Sequence, residues 1–307
     1  MGEYVLKTYQ LCKTFQGKRV LSNVNMSIRK GAIYGFIGQN GAGKSTLIRL
    51  VAGLAYPSGG SLQLFGEYGE KGLTEARKRI GSIIEGPALF PDMSAAENLE
   101  VNRIVRGIPG KDCIPRLLKQ SGLQEAGNKK AKHFSLGMKQ RLGLAIALLG
   151  DPEFIILDEP ANGLDPVGVI EMRELLRKLN QELGITIMIS SHILSELHHL
   201  ATHYGIIHEG RLLEELTAEE LNERCRRYLY IKVDDPGKAA AVIQSELGTT
   251  DFEVMQNGSI KLFGRLDKPG QISAMLFSAG LEVEAFMPIG EDLESYFKKR
   301  IGGGRHV

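Results

Sequence analysis

The sequence predicts an α/β fold with a mostly parallel sheet core, followed by a small C-terminal α+β domain. Three observations lead there. Apolar runs such as Ala32–Ile37 and Phe154–Leu157 read as buried strands and alternate with helical stretches, the order of a parallel sheet. A glycine-rich loop, Gly38–Thr46, joins the first of these runs to the helical stretch Leu47–Ala52. After Glu215 the pattern changes to short strands and helices in βαββαβ order. A length of 307 residues suits one full domain and a smaller one.

Taken in order, residues 3–37 read as short strands with turns at Gln16-Gly17-Lys18 and Arg29-Lys30-Gly31. Beyond the helix that follows the glycine loop, the segment up to residue 84 returns to strands, with Pro57-Ser58-Gly59-Gly60 as a loop. Residues 92–132 read as mostly helical, opening on Ser94 and Glu97 at the spacing of a capping box. Ser135 is placed as a helix N-cap ahead of the apolar run Leu142–Leu149. Strands and helices alternate from 153 to 215. A linker helix is expected over 216–227. Tyr228–Val233 then alternates as a strand, Lys238–Leu247 is helical, and two strands flank the Asn257-Gly258 hairpin turn. A helix over Ile272–Ser278 and a strand over Leu281–Phe286 complete a ferredoxin-like order within 228–307. A last helix runs over Glu291–Arg300, and Gly302-Gly303-Gly304 is expected to fray.

The loop carries the first chemistry. Gly38-Gln39-Asn40-Gly41-Ala42-Gly43-Lys44-Ser45-Thr46 fits G-x-x-x-x-G-K-[ST] at every fixed position, between a strand and a helix as the motif requires. Its glycines let successive backbone N–H groups turn toward an anion, and the helix N-terminus adds partial positive charge. Lys44 can reach the β- and γ-phosphates of a nucleotide, and the Ser45 hydroxyl can ligate Mg²⁺. Phe154–Leu157 ends in two carboxylates, Asp158 and Glu159. Asp158 is a candidate for holding the metal, and Glu159 for polarising a water against the γ-phosphate. A buried strand capped by solvated acids is the plain reading of that pair, and its company with the phosphate loop argues against it.

The order of phosphate loop, Phe134-Ser135-Leu136-Gly137-Met138, Asp158-Glu159, Asn162-Gly163-Leu164-Asp165 and Ser190-Ser191-His192 resembles the nucleotide-binding domain of ABC ATPases. The resemblance covers residues 3 to about 215. It implies ATP and Mg²⁺ as ligands, and a P-loop ABC ATPase domain over 1–215 with an antiparallel β subdomain and a helical subdomain at about 86–150. Phe15 would stack on adenine, and Gly38, Asn40, Gly41, Ala42, Gly43, Lys44, Ser45 and Thr46 would form the Walker A loop. Ser135 and Gly137 would belong to the signature motif, which contacts ATP bound to the opposite subunit. Asp158 would hold Mg²⁺, Glu159 would be the general base, Asp165 would lie at the subunit contact and His192 would sense the γ-phosphate. Leu136 and Met138 depart from the commonest signature, while the Ser and Gly that would face phosphate remain. Glu85, in Ile84-Glu85-Gly86-Pro87, stands where the family usually has the Q-loop glutamine. That acid, with the signature and the Asn162–Asp165 loop, is similar to the bacitracin-resistance and lantibiotic self-protection subfamily. Glu85 is a further candidate metal ligand, or a residue that couples the site to a permease.

Composition bounds the alternatives. A net charge of +2 gives no argument for a nucleic-acid partner. Cys12, Cys113 and Cys225 are scattered without metal spacing and suit a reducing cytoplasm. The opening Met1-Gly2-Glu3-Tyr4-Val5 reads as a strand rather than a signal peptide, and no apolar run approaches bilayer length. His199 and His203 lie four apart and could share a metal on a helix, but no acid or Cys completes a set. Lys129, Lys130 and Lys132 read as a solvated basic run.

The resemblance therefore implies an ATP-hydrolysing subunit, peripheral on the inner face of the membrane, that works with an integral membrane permease and a second nucleotide-binding domain. An antimicrobial peptide or another hydrophobic compound is the expected cargo. The alternative is a soluble ABC ATPase acting on nucleic acid or ribosomes. Neither the coiled-coil insertion nor the tandem domains of such proteins is present. A sensor that binds ATP as a switch would lack the base, and Glu159 is in place. For the C-terminal domain, a packing accessory is favoured over a regulatory or dimer-supporting role.

Overall fold

The computed structural model describes residues 3–126, 129–264, 266, 268–290 and 293–302. They form two compact units, with the division at Ala218/Glu219. Unit 1 opens with β1 (Tyr4–Phe15), β2 (Lys18–Arg29) and β3 (Ile33–Ile37). The phosphate loop leads into α1 (Lys44–Ala52), then β4 (Gly59–Leu64), α2 (Gly69–Arg77) and β5 (Ile80–Ile83). The helical region holds α3 (Ala95–Val105), α4 (Cys113–Gln120), a 3-10 turn at Ala131–His133 and α5 (Leu136–Ala147). There follow β6 (Phe154–Asp158), α6 (Pro166–Leu183), β7 (Thr186–Ser191), α7 (Leu194–His198), β8 (His203–His208) and β9 (Arg211–Thr217).

The central sheet has the order β5-β6-β7-β3-β8-β9, parallel except for β9. Every residue of β3, β6 and β7 is buried, which explains the apolar runs Ile33–Ile37, Phe154–Leu157 and Ile187–Ile189. A second, antiparallel sheet has the order β2-β1-β4. Leu47, Ile48, Leu50 and Val51 of α1 join Phe36, Phe154 and Met188 of the central sheet in one buried cluster with residues of β1, β2 and β4.

Local signals explain the helix ends. Ser94 and Glu97 close the expected capping box on α3, with Ser94 N–H donating to Glu97 at 2.7 Å and Glu97 N–H to Ser94 Oγ at 3.2 Å. Asp165 caps α6 by accepting from Gly168 N–H at 2.8 Å, with Pro166 in the first turn and Gly184 left-handed at the end.

Three expectations are corrected. The segment 47–84 contains a helix, α2, besides α1 and its strands; only Ala76 of α2 is buried, so the sequence shows no apolar stripe there. The linker helix does not begin at 216: β9 runs through Thr217, with buried Leu216 paired to Tyr204, and the helix covers Ala218–Cys225. His199 and His203 do not share a helix, because α7 stops at His198 and β8 starts at His203. Among the described residues no group of three or more His, Cys, Asp and Glu is placed to hold a metal.

The connecting helix is α8 (Ala218–Cys225). Unit 2 continues with β10 (Tyr228–Val233), α9 (Pro236–Leu247), β11 (Phe252–Val254), β12 (Ser259–Leu262), α10 (Pro269–Ser278), β13 (Val283–Ile289) and α11 (Leu293–Gly302). Its antiparallel sheet has the order β11-β12-β10-β13. Leu229, Ile231 and Val233 face a core shared with Ile243 of α9 and with Ile272 and Leu276 of α10. Glu291, Gly303 and Gly304 lie outside the described residues.

Gly81 sets how closely α5 approaches the sheet edge. A Cβ there would lie 2.1 Å from the Ala147 carbonyl oxygen, a backbone atom that cannot swing away. Gly81→Ala is expected to destabilise unit 1 by about 1–3 kcal/mol, the usual cost of overpacking. Gly59→Ala, whose Cβ would meet only Cys12 Cβ at 3.7 Å, should stay within about 1 kcal/mol of wild type. Equal urea midpoints for the two variants would contradict this account.

Candidate nucleotide site

The phosphate loop leaves the carboxyl end of β3 and turns into α1. Gly41 and Gly43 have φ of 82° and 110°, the left-handed side that glycine tolerates. At Gly43 the space is also closed: a Cβ would lie 2.8 Å from a Leu21 methyl and 3.2 Å from the Val20 carbonyl oxygen. No side chain caps α1 and no acid sits in its first turn, so its N-terminal amides are available to an anion. Val20, Asn40, Gly41, Gly43, Lys44, Ser45, Thr46 and Glu159 line a cleft of about 200 Å³ at this turn.

Lys44 is only 5 % exposed. Its ammonium donates to the Gly38 carbonyl at 2.6 Å and the Gln39 carbonyl at 3.3 Å, and lies 3.2 Å from Glu159 Oε1. Glu159 follows β6 with φ of 49°, and its other carboxylate oxygen lies 3.0 Å from His192 Nδ1. One carboxylate thus bridges the loop lysine and the histidine that follows β7. Asp158, at the end of β6, is buried and accepts from Ser190 Oγ at 2.6 Å. The same Ser190 oxygen accepts the Glu159 backbone N–H at 2.9 Å. β7 lies between β6 and β3, with Ser190 beside Asp158 on one side and Phe36 on the other. Gly38 N–H closes the link by donating to the Ser191 carbonyl at 3.2 Å.

The remaining sequence candidates lie apart from that cleft. Phe15, at the end of β1, is 44 % exposed, with the Lys13 ammonium 4.6 Å from its ring centroid. Ser135 caps α5 by accepting from Met138 N–H at 3.2 Å. Gly137 stands beside Leu164, where a Cβ would meet a Leu164 methyl at 3.8 Å. The unusual Leu136 covers Gly163, its methyl 3.1 Å from the place of a Cβ there. Neither Ser135 nor Gly137 lines the cleft that holds Lys44 of the same chain. Glu85 has φ of 63°, and its carboxylate is paired with the Arg49 guanidinium of α1 rather than turned to the cleft. Pro87, two residues on, seats against Gly143 of α5, where a Cβ would come within 2.5 Å of the Pro87 Cβ.

The sequence offers Ser190 only as part of the Ser190-Ser191-His192 motif. Its contacts depend on which strands are neighbours, and only its place two residues before His192 hinted at them.

A glycine phosphate loop between a buried parallel strand and a helix, with two carboxylates on a nearby strand, defines a P-loop nucleotide-binding protein. Residues 21–162 match the ABC transporter family. The bacitracin transport ATP-binding protein BcrA of Bacillus licheniformis is 44 % identical over 300 residues, covering 98 % of each chain. The lantibiotic transport ATP-binding protein SrtF of Streptococcus pyogenes is 46 % identical over 212 residues, 69 % of this chain and 90 % of that one. A solved dimer of an ATP-binding cassette, in a post-hydrolysis state bound to ADP and Pi, superposes with a TM-score of 0.63 at 26 % identity, covering 69 % of this chain and 98 % of that one. The chain belongs to the ABC transporter ATP-binding proteins, and it is an ATP hydrolase of that kind.

The Arg49–Glu85 pair is open to solvent, with the two side chains 38 % and 65 % exposed. Exposed pairs contribute little, so Glu85→Gln is expected to change unfolding free energy by less than about 1 kcal/mol. A larger loss in a urea titration would show that the pair holds the loop.

Proposed function

We propose that this chain is the ATP-binding and ATP-hydrolysing subunit that powers a separate membrane permease, exporting an antimicrobial peptide or another hydrophobic compound. The likeness to the bacitracin and lantibiotic transport proteins supports that cargo and that partner. Among the described residues no helix is long and apolar enough to cross a membrane. In this reading the permease provides the path across the bilayer and holds the subunit on its inner face.

The observation that carries the catalytic reading is the Glu159 carboxylate held between Lys44 and His192. Lys44 and the amides of Gly41–Thr46 bind the phosphates, Phe15 stacks on the adenine and His192 faces the γ-phosphate. Glu159 takes a proton from water as the water oxygen bonds to the γ-phosphorus and the bond to the β-phosphate oxygen breaks. The Ser45 hydroxyl and the Asp158 carboxylate are hard oxygen donors of the kind that suit Mg²⁺ carried on a phosphate chain. An ion held by these two residues would supply positive charge to offset the charge of the phosphates. Glu85, paired with Arg49, is assigned to coupling with the permease rather than to the metal.

Ser135 and Gly137 complete the site of a second copy. Their separation from Lys44 in one chain favours a sandwich of two nucleotide-binding domains. Residues 1–215 form the ABC domain, and the ferredoxin-like 228–307 is an accessory. The short coverage of this chain by the lantibiotic relative, against nearly all of that relative, supports the accessory role.

Glu159→Gln is expected to bind MgATP and to hydrolyse it at least about 10²-fold more slowly, the size of a general-base contribution. Near-normal turnover would remove Glu159 from the chemistry. With ATP the same variant should dimerise by light scattering, and adding Ser135→Arg should abolish the dimer through bulk and misplaced charge. A dimer that persists in the double variant counts against the sandwich. Residues 1–218 alone should keep ATP binding; a soluble fragment that cannot bind ATP would show that the nucleotide site needs unit 2.

A further inference from the structure

We propose that Ser190 is a positioning residue for ATP hydrolysis: its hydroxyl holds the direction of the Asp158 carboxylate and the backbone of Glu159 at once. The inference rests on the roles proposed above for those two acids. A serine hydroxyl has one proton to donate and lone pairs to accept with. Here the proton goes to Asp158 Oδ1 at 2.6 Å, which leaves the oxygen to accept Glu159 N–H at 2.9 Å. Both bonds are buried or partly buried, and Ser190 has no exposed surface.

Full burial of this hydroxyl makes its hydrogen bonds count. Ile187, Met188 and Ile189 precede it on a strand buried along its whole length. A hydroxyl in such a place costs free energy unless it is bonded, and both of its partners are site acids. Glu159 also needs the support. Its φ of 49° is a conformation that L residues avoid, and a slackened backbone there would move the carboxylate away from both Lys44 and His192. Asp158 needs it differently: with Oδ1 held by Ser190, the orientation of the carboxylate plane is set, and with it the direction of the other oxygen.

The test compares Ser190→Ala, Ser190→Cys and Ser190→Thr in the full chain. Cysteine is close to serine in shape but a weak donor and acceptor, so it keeps the test alive if the alanine variant fails to fold. Steady-state ATPase is measured against ATP and against Mg²⁺. Equilibrium binding of a fluorescent ATP analogue is measured with and without Mg²⁺, and the melting temperature without nucleotide. For the Ala and Cys variants, kcat is expected to fall about 10- to 100-fold, the usual loss when a hydrogen-bond partner of a metal ligand is removed. The Mg²⁺ concentration for half-maximal analogue binding should rise by a comparable factor, with binding in the absence of Mg²⁺ unchanged. Threonine carries the same hydroxyl and suits a strand, so it should restore both quantities.

Unchanged kcat and Mg²⁺ requirement in the Ala and Cys variants would overturn the proposal. So would a threonine variant as impaired as alanine, or a loss of binding that is equal with and without Mg²⁺ and tracks a lowered melting temperature. Repeating the Mg²⁺ titration of Ser190→Cys in a Glu159→Gln background separates the two readings. A shifted Mg²⁺ requirement there supports the role of Ser190 at Asp158 even if Glu159→Gln by itself hydrolyses ATP normally.

Discussion

A buried ammonium is the constraint around which the nucleotide site is built. Lys44 has almost no contact with water, and a buried charge stripped of its partners costs about 3–5 kcal/mol. Two carbonyls and one carboxylate surround it. The carbonyls belong to Gly38 and Gln39, so the loop must curl back over its own lysine. That curl passes through left-handed geometry at Gly41 and Gly43. Gly43 in turn sits so close to Val20 and Leu21 of β2 that a side chain would not fit. The antiparallel sheet thereby braces the loop from outside, and the first-turn amides of α1 are left directed at the cleft.

Strand order does the rest. In a parallel sheet the carboxyl ends of neighbouring strands come out along one edge, where ligands of open α/β sheets bind. β6, β7 and β3 are neighbours in that order, so Asp158-Glu159, Ser190-Ser191-His192 and Gly38 emerge side by side. β7 is the middle member and touches both others through polar bonds: Ser190 to the acids of β6, and the Ser191 carbonyl to Gly38 of the loop. A displacement of this strand end would be felt by the phosphate loop and the acids together. His192 lies two residues further along the same chain segment, so its contact with Glu159 depends on the same register.

What could be read from the sequence was whatever local chain geometry determines. The phosphate loop, the capping box at Ser94 and Glu97 and the Asn257-Gly258 hairpin each carry their signal within a few residues, and each appears where expected. The βαββαβ order from β10 to β13 was equally legible, because β10 alternates cleanly and turn residues such as Asn257-Gly258 separate the elements. Helix α2 was not, since a short helix with one buried residue shows no apolar period. The continuation of β9 to Thr217 was hidden too, because pairing with β8 holds Leu216 in the sheet where the local sequence suggested a helix. The spacing of His199 and His203 shows the same limit: four residues apart means a shared face only if the helix continues, and α7 does not. Ser190 is the instructive miss at the site. Its two partners are more than thirty residues away, and only the sheet order brings them to it.

The acid at position 85 raises a question of charge that the structure addresses. An unpaired glutamate near a γ-phosphate would be repelled, whereas the glutamine usual in the family carries no charge. Here the carboxylate is met by Arg49, a cation in the last turn of α1, where it also complements the negative end of the helix. The pair therefore adds a dipole near the loop but little net charge. Left-handed backbone at both Glu85 and Gly86 turns the chain sharply, and Pro87 then docks on α5 at Gly143, in the helix that Ser135 caps. Arg49 belongs to the helix that carries Lys44 and Ser45 at its other end. Glu85 thus joins the phosphate-loop helix to the segment packed on the signature helix, through one solvent-exposed ion pair. Such a contact, open to solvent, contributes little to stability and is cheap to break and re-form. A buried charge pair in the same place would resist separation, because each partner left behind would be an uncompensated charge.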